Sequence, residues 1–138
     1  MASTLENMLS FSGSRVDLVN ITGGEPTLHP NLFKLLDLCK RPEIGRITLN
    51  SNGVKLANDL KFCRELAARD VYVVLSLNEL DERKMRFFHP EQVVAEIKMQ
   101  ALANLKSAGV KVTLLNVLAR NVNEEFSGKL LTLMLEND

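Results

Sequence analysis

The residues of this chain that could do chemistry fall in four clusters: Thr22-Gly23-Gly24-Glu25, Asn50-Ser51-Asn52-Gly53, Ser76 with Asn78, and Asn116 followed by Arg120-Asn121. Paired glycines lack Cβ, so their main-chain N–H and C=O groups can approach a ligand to hydrogen-bonding distance, and φ is free to become positive. Glu25 adds a carboxylate for an ammonium group. Hydroxyls and amides of the later clusters can take a carboxylate or sugar hydroxyls, so the set suits a zwitterion. Each cluster also has a purely structural use. Gly-Gly ahead of Pro26 can turn the chain, Asn52-Gly53 is a favoured turn pair, Ser76 and Asn78 can cap a following segment, and Asn116 can satisfy a buried backbone group.

The elements that must position these clusters are legible from periodicity. Apolar, β-branched segments predict strands near 16–21, 46–50, 71–77 and 110–118. Between them run helical stripes: Leu32, Leu35, Leu36 and Cys39; Leu56, Leu60, Cys63 and Ala67; and Val94, Ile97, Ala101, Leu105 and Ala108, the last closed by Gly109. A further helix is expected from Glu124 to about Leu135, and a short one at the N-terminus, where Ser3 and Glu6 match a capping box. The charged stretch from Glu79 to Gln92 reads as an exposed loop with one helical turn. Strands alternating with helices imply parallel strands joined by right-handed crossovers, an α/β fold. In such folds the carboxyl ends of the strands share one edge, where ligands bind. All four polar clusters sit at those ends.

Composition narrows the function classes. With 17 basic and 17 acidic residues and no basic stripe, the chain offers no field to draw nucleic acid. No apolar stretch approaches the ~20 residues of a membrane span, and no secretory signal opens the sequence, so a cytoplasmic location is expected. Cys39 and Cys63 stand in apolar helical patterns without metal-ligand spacing and read as buried, reduced thiols. His29 and His89 each precede a proline, which fixes them in extended or turn geometry and suits a surface position. The arrangement reads as a binding site rather than an acid–base centre. A length of 138 residues leads one to expect a single domain.

Four motifs in order resemble those of the radical S-adenosylmethionine enzymes. "GGEPTLHPNLFKLL" is similar to the family's second-strand motif, "ITLNSNGVKL" to its third-strand Thr-Asn-Gly motif with serine for threonine, and "VVLSLNELDE" to its fourth-strand Ser-Leu-Asp pattern. "ALANLKSAGVKVTLLNVLARNVNEEF" resembles the helix and fifth strand, so the likeness runs roughly from Val16 to Phe126. Within the family the sequence most resembles the molybdenum-cofactor, peptide-modifying and pterin-methylating groups. The resemblance implies that Gly23, Gly24 and Glu25 surround the methionyl amine of S-adenosylmethionine. It implies that Ser51 and Asn52 lie near its carboxylate, Ser76 and Asn78 near the ribose, and Asn116 on the far wall. Asn78 stands where the pattern has aspartate, and keeps a hydrogen-bonding group without the charge.

The family holds a [4Fe–4S] cluster in a C-x-x-x-C-x-x-C loop after its first strand, and this sequence contains neither that loop nor that strand. Cys39 and Cys63 cannot substitute, because a cluster needs several thiolates at one point. A complete eight-stranded barrel takes about 250 residues, so four βα units make about half of one. The resemblance therefore implies part of a radical enzyme that retains a wall of the S-adenosylmethionine site and is inactive alone. The other readings are a noncatalytic nucleoside-binding module and a structural half barrel that pairs with itself through open sheet edges.

Overall fold

A computed structural model of the chain describes residues 2–13, 15–88 and 95–136. Helix α1 (Ala2–Phe11) leads into strand β1 (Val19–Ile21), a single 3₁₀ turn (Pro26–Leu28) and helix α2 (Leu32–Cys39). Strand β2 (Ile47–Ser51) is followed by α3 (Val54–Asn58) and α4 (Leu60–Ala67), and strand β3 (Val71–Ser76) by α5 (Glu82–Phe88) and α6 (Ala95–Ala108). Strand β4 (Val112–Leu115) and helix α7 (Phe126–Glu136) complete the order. The four strands form one sheet in the order β1-β2-β3-β4, every pair parallel. Each strand thus lies beside its predecessor, as in a (β/α) barrel and unlike a doubly wound sheet, where the order reverses. The expected α/β architecture is the one observed.

The two-residue period of the strands divides their side chains between two faces. Ile47, Leu49, Val71, Val73 and Leu75 are buried on one face, together with Leu36, Leu56, Cys63, Leu66, Ala101 and Leu105 from the helices. The opposite face carries Asn20 beside Thr48 and Tyr72, and Asn50 beside Val74 and Thr113. Thr48 Oγ1 donates to Asn20 Oδ1 across the first pair (2.9 Å). Apolar packing thus fixes the register, and polar groups are left on the face that a closed barrel would turn inward.

Several boundaries differ from the sequence expectation. Strand β1 is shorter than 16–21, because Val16 makes only an isolated bridge to Ile44 and the chain then bends at Asp17. Strand β4 ends at Leu115 rather than near 118, where the Asn116 amide donates to Leu77 O and Asn78 O and takes over from ladder pairing. The helical stripe from Leu56 to Ala67 is two helices, since Asp59 accepts from Phe62 N and starts α4 as its N-cap. Helix α1 already includes Ala2, so Ser3 lies inside it and not at its cap. The stretch expected as a loop holds the seven-residue α5, nucleated by Asp81 Oδ1 accepting from Arg83 N and Lys84 N and anchored by buried Met85. His89 and Val94 lie outside the described residues.

Candidate functional site

Above the carboxyl ends of β1, β2 and β3 lies a cavity of about 380 Å³ lined by Gly23, Gly24, Glu25, Asn50, Ser51, Asn52, Val74, Ser76 and Leu115. Six of the eight residues singled out from sequence therefore share one concavity. Gly23 has φ 148°, a conformation that L side chains rarely adopt. A Cβ built on Gly23 or Gly24 would meet nothing within 4 Å, so both glycines leave bare backbone facing open space. Glycine at 24 is not demanded by its dihedral; it keeps the space clear.

Glu25 organises the rim. Its Oε1 accepts from Thr27 N (3.2 Å), Thr27 Oγ1 (2.6 Å) and Ser51 Oγ (3.0 Å), and its Oε2 accepts from Asn52 N (2.7 Å). The side chain thereby caps the 3₁₀ turn and ties the end of β1 to the end of β2. Oε1 is saturated, whereas Oε2 has capacity for one further donor. Ser51 Oγ also accepts from Gly53 N (3.0 Å), and Asn52 Oδ1 from Val54 N (3.0 Å), so both residues shape the turn into α3. Gly53 has φ 90°, and a Cβ there would stand 2.8 Å from Leu75 Cδ1. In this second turn glycine is favoured by conformation, and a Cβ would also force the end of the Leu75 side chain to shift.

Asn50, from the second polar cluster, lines the cavity, and Lys98, which no motif marked, bonds to two of its lining residues. Asn50 Oδ1 is buried without a hydrogen-bond partner, an uncommon condition that a bound donor would relieve. Lys98, on α6, is only 1% exposed, and its Nζ donates to Asn52 O (2.5 Å), Ser76 O (2.7 Å) and Ser76 Oγ (3.3 Å). Burial pushes the Lys98 ammonium down to about 8, against the opposing pull of the Glu25 charge. The available signal was its spacing: Lys98 falls three residues before Ala101 and seven before Leu105, in register with the buried stripe of α6.

The other expected residues are placed differently. Asn78 and Asn116 are not among the cavity's lining residues. Asn78 Oδ1 accepts from Val117 N, and Asn116 Nδ2 donates to Leu77 O and Asn78 O, so the pair holds the end of β3 to the segment after β4. Fully buried Asn123 strengthens this junction by donating to Asn78 O and Val117 O and accepting from Ala119 N. His29 is exposed, and its Nδ1 accepts from Asn31 N (3.1 Å). His89 is outside the described residues.

The residues present fit S-adenosylmethionine: bare glycine backbone, a carboxylate oxygen with spare capacity, and Asn50, whose amide oxygen has no partner, line one space of about 380 Å³. They do not fit the iron–sulfur cluster. Cys39 and Cys63 are both buried, desolvation raises both thiols, Cys63 to about 11, and Cys63 Sγ donates to Leu56 O. Among the described residues no three His, Cys, Asp or Glu side chains gather to hold a metal ion. Nor, among them, is any helix long and apolar enough to cross a membrane.

Comparison with known proteins points the same way. Residues 4–128 match the model of the Radical SAM superfamily. The chain is 29% identical over 127 residues to a GTP 3',8-cyclase of Pasteurella multocida (strain Pm70), covering 89% of this chain and 36% of that protein. It is 27% identical over 129 residues to a GTP 3',8-cyclase of Chlorobaculum tepidum, covering 93% of this chain and 38% of the other. A 7,8-dihydro-6-hydroxymethylpterin dimethyltransferase of Methanocaldococcus jannaschii is 28% identical over 122 residues, covering 86% of this chain and 24% of that one. The chain thus spans between about a quarter and little more than a third of the length of these curated relatives. A sequential parallel sheet, a double-glycine loop at its carboxyl edge and a family match over nearly the whole length lead to one conclusion: this chain belongs to the radical SAM superfamily.

Proposed function

We propose that this chain is the S-adenosylmethionine-binding wall of a radical enzyme whose cluster cysteines lie outside these 138 residues. In the complete protein a [4Fe–4S] cluster would cleave S-adenosylmethionine reductively; this chain supplies part of the ligand's enclosure and is inactive alone, in the cytoplasm and without nucleic acid. Gly23, Gly24 and Glu25 take the methionyl amine, with Glu25 Oε2 as the acceptor. Ser51 and Asn52 stand toward the carboxylate, Ser76 and Asn78 toward the ribose, and Asn116 holds the far wall. The observation that carries the reading is the bare backbone at Gly23 and Gly24 sharing one cavity with the unpartnered Asn50 Oδ1.

Titration calorimetry with S-adenosylmethionine tests it, using Gly24→Val as control. A Cβ at position 24 meets nothing within 4 Å and the backbone there has no positive φ, so the variant adds bulk at the cavity without backbone strain. Saturable heat that disappears in the variant supports the proposal; identical traces reject it.

A second reading, self-association, is favoured by the sheet's edges. Strands β1 and β4 are terminal in the sheet, and Leu115, Val117 and Leu118, at and just after the end of β4, are exposed, as are Leu131 and Leu135 on α7. Unpaired edge groups beside apolar side chains invite pairing. Size-exclusion chromatography with light scattering should then give a dimer or larger species, and a strictly monomeric folded chain counts against it.

A further inference from the structure

Lys98 is the buried charge that the binding reading leaves unexplained. A lysine is almost never fully buried without a paired carboxylate, because desolvating an ammonium is costly. Here all three N–H donors go to uncharged oxygens: Asn52 O, Ser76 O and Ser76 Oγ. The aliphatic stem passes over Gly53, whose missing Cβ leaves room for Ala101 and Lys98 Cδ. A methionine could fill the same volume without a charge. What it could not do is gather two carbonyl oxygens from neighbouring strand ends and set the direction of a hydroxyl.

That last point has a chemical consequence. Ser76 Oγ accepts from Lys98 Nζ, so its own proton is left to be donated elsewhere, and Ser76 lines the cavity. The Glu25 carboxylate, from the turn after β1 and so separated from Ser76 by β2, lines the same cavity. The space thus offers both an acceptor and a donor backed by a cation. We propose that Lys98 is a positioning residue of this site: its ammonium holds the carboxyl ends of β2 and β3 together and turns the Ser76 hydroxyl toward an acceptor oxygen of a ligand that carries an anionic group. The inference rests on the S-adenosylmethionine reading for the ligand, but not for the clamp itself.

The surroundings of Lys98 make the clamp separable from other titrations. Glu25, in the turn after β1, is the charged group acting on it. From the helices packed on α6, Lys55 and Asp59 pair with each other at 2.9 Å, and the Cys63 thiol is buried and pushed up to about 11. Strands β2 and β3 offer Ser51 and Ser76 but no ionisable side chain on the cavity.

The test has two arms on the full chain. In the first, amide signals of Gly53 and Leu77, whose peptide bonds contain the two clamped carbonyls, are followed by nuclear magnetic resonance from pH 6.5 to 9.5 without ligand, a range chosen to bracket the lysine's value of about 8. Both should titrate together near 8 in the wild type and stay flat in Lys98→Met. Flat wild-type curves, or the same titration in the variant, overturn the clamp. In the second arm, S-adenosylmethionine affinity at neutral pH should fall about tenfold in Lys98→Met and in Ser76→Ala, the worth of one charge-assisted hydrogen bond. The double variant should lose no more than either single one, and Lys98→Arg should recover part of the loss. Wild-type affinity in Lys98→Met overturns the proposal while leaving the binding reading intact. A wild-type chain that titrates as expected but binds no S-adenosylmethionine does the reverse. If Lys98→Met does not fold, Lys98→Arg and Ser76→Ala decide both arms.

Discussion

Glu25 and Lys98, far apart in sequence, meet at one residue: Asn52 donates its N–H to Glu25 Oε2 at 2.7 Å and offers its C=O to Lys98 Nζ at 2.5 Å. The residue after β2 is therefore stretched between a carboxylate from the first strand's loop and an ammonium from a distant helix. Neither side chain can be changed without altering the rim of the cavity.

Glu25→Gln should destabilise the chain by about 1–2 kcal/mol, because one carboxylate oxygen becomes an NH₂ that faces donors. Thr27 N, Thr27 Oγ1, Ser51 Oγ and Asn52 N all donate to the native carboxylate. Urea denaturation measures it, and an unchanged midpoint would show that the network contributes nothing.

The glycines should separate cleanly. Gly53→Ala combines a φ of 90° with a contact of 2.8 Å to Leu75 Cδ1, and is expected to cost about 2–3 kcal/mol. Gly24→Ala, with no neighbour within 4 Å and no positive φ, should leave stability nearly unchanged. Thermal melts of the two variants side by side provide the comparison.

Burial of Lys98 makes stability depend on alkaline pH. Its value of about 8 in the folded chain lies below the ordinary 10.5, so between these limits the unfolded chain binds more protons and the folded state gains stability as pH rises. Below pH 8 the full cost of the buried charge is present. Relative to Lys98→Met, the wild type should gain up to about 3 kcal/mol across this window, read from urea midpoints at stepped pH. Parallel curves for the two proteins would contradict the assignment. A cation kept at such a cost is what a positioning role predicts and a packing role does not.

The cysteines should be silent. Both thiols are buried and shifted upward by desolvation, so Ellman's reagent at pH 8 should titrate neither in the native chain and both in guanidinium. Anaerobic treatment with iron and sulfide should correspondingly leave no cluster that electron paramagnetic resonance detects on this chain. Rapid native modification of Cys63 would mean that the helices around it open readily.

Alternation in "VYVVLSL" and the leucine spacing of α2 determined by themselves which side chains enter the core, because apolar burial follows the local periods of strand and helix. Parallel pairing and the common edge of the polar clusters followed from the order of those elements. The double glycine at the end of β1 was equally visible, since its chemistry lies in the residues themselves. Tertiary structure alone decided how the polar groups are shared out. Asn78 and Asn116, read from sequence as ligand contacts, also tie the end of β3 to the segment after β4, and the oxygen of Asn50 is buried and unpaired. Lys98 reaches Asn52 across 46 residues of sequence, and Glu25 reaches the same residue across 27. Such bonds leave no periodic trace, because their partners become neighbours only after the hydrophobic face has set the packing of helix on sheet.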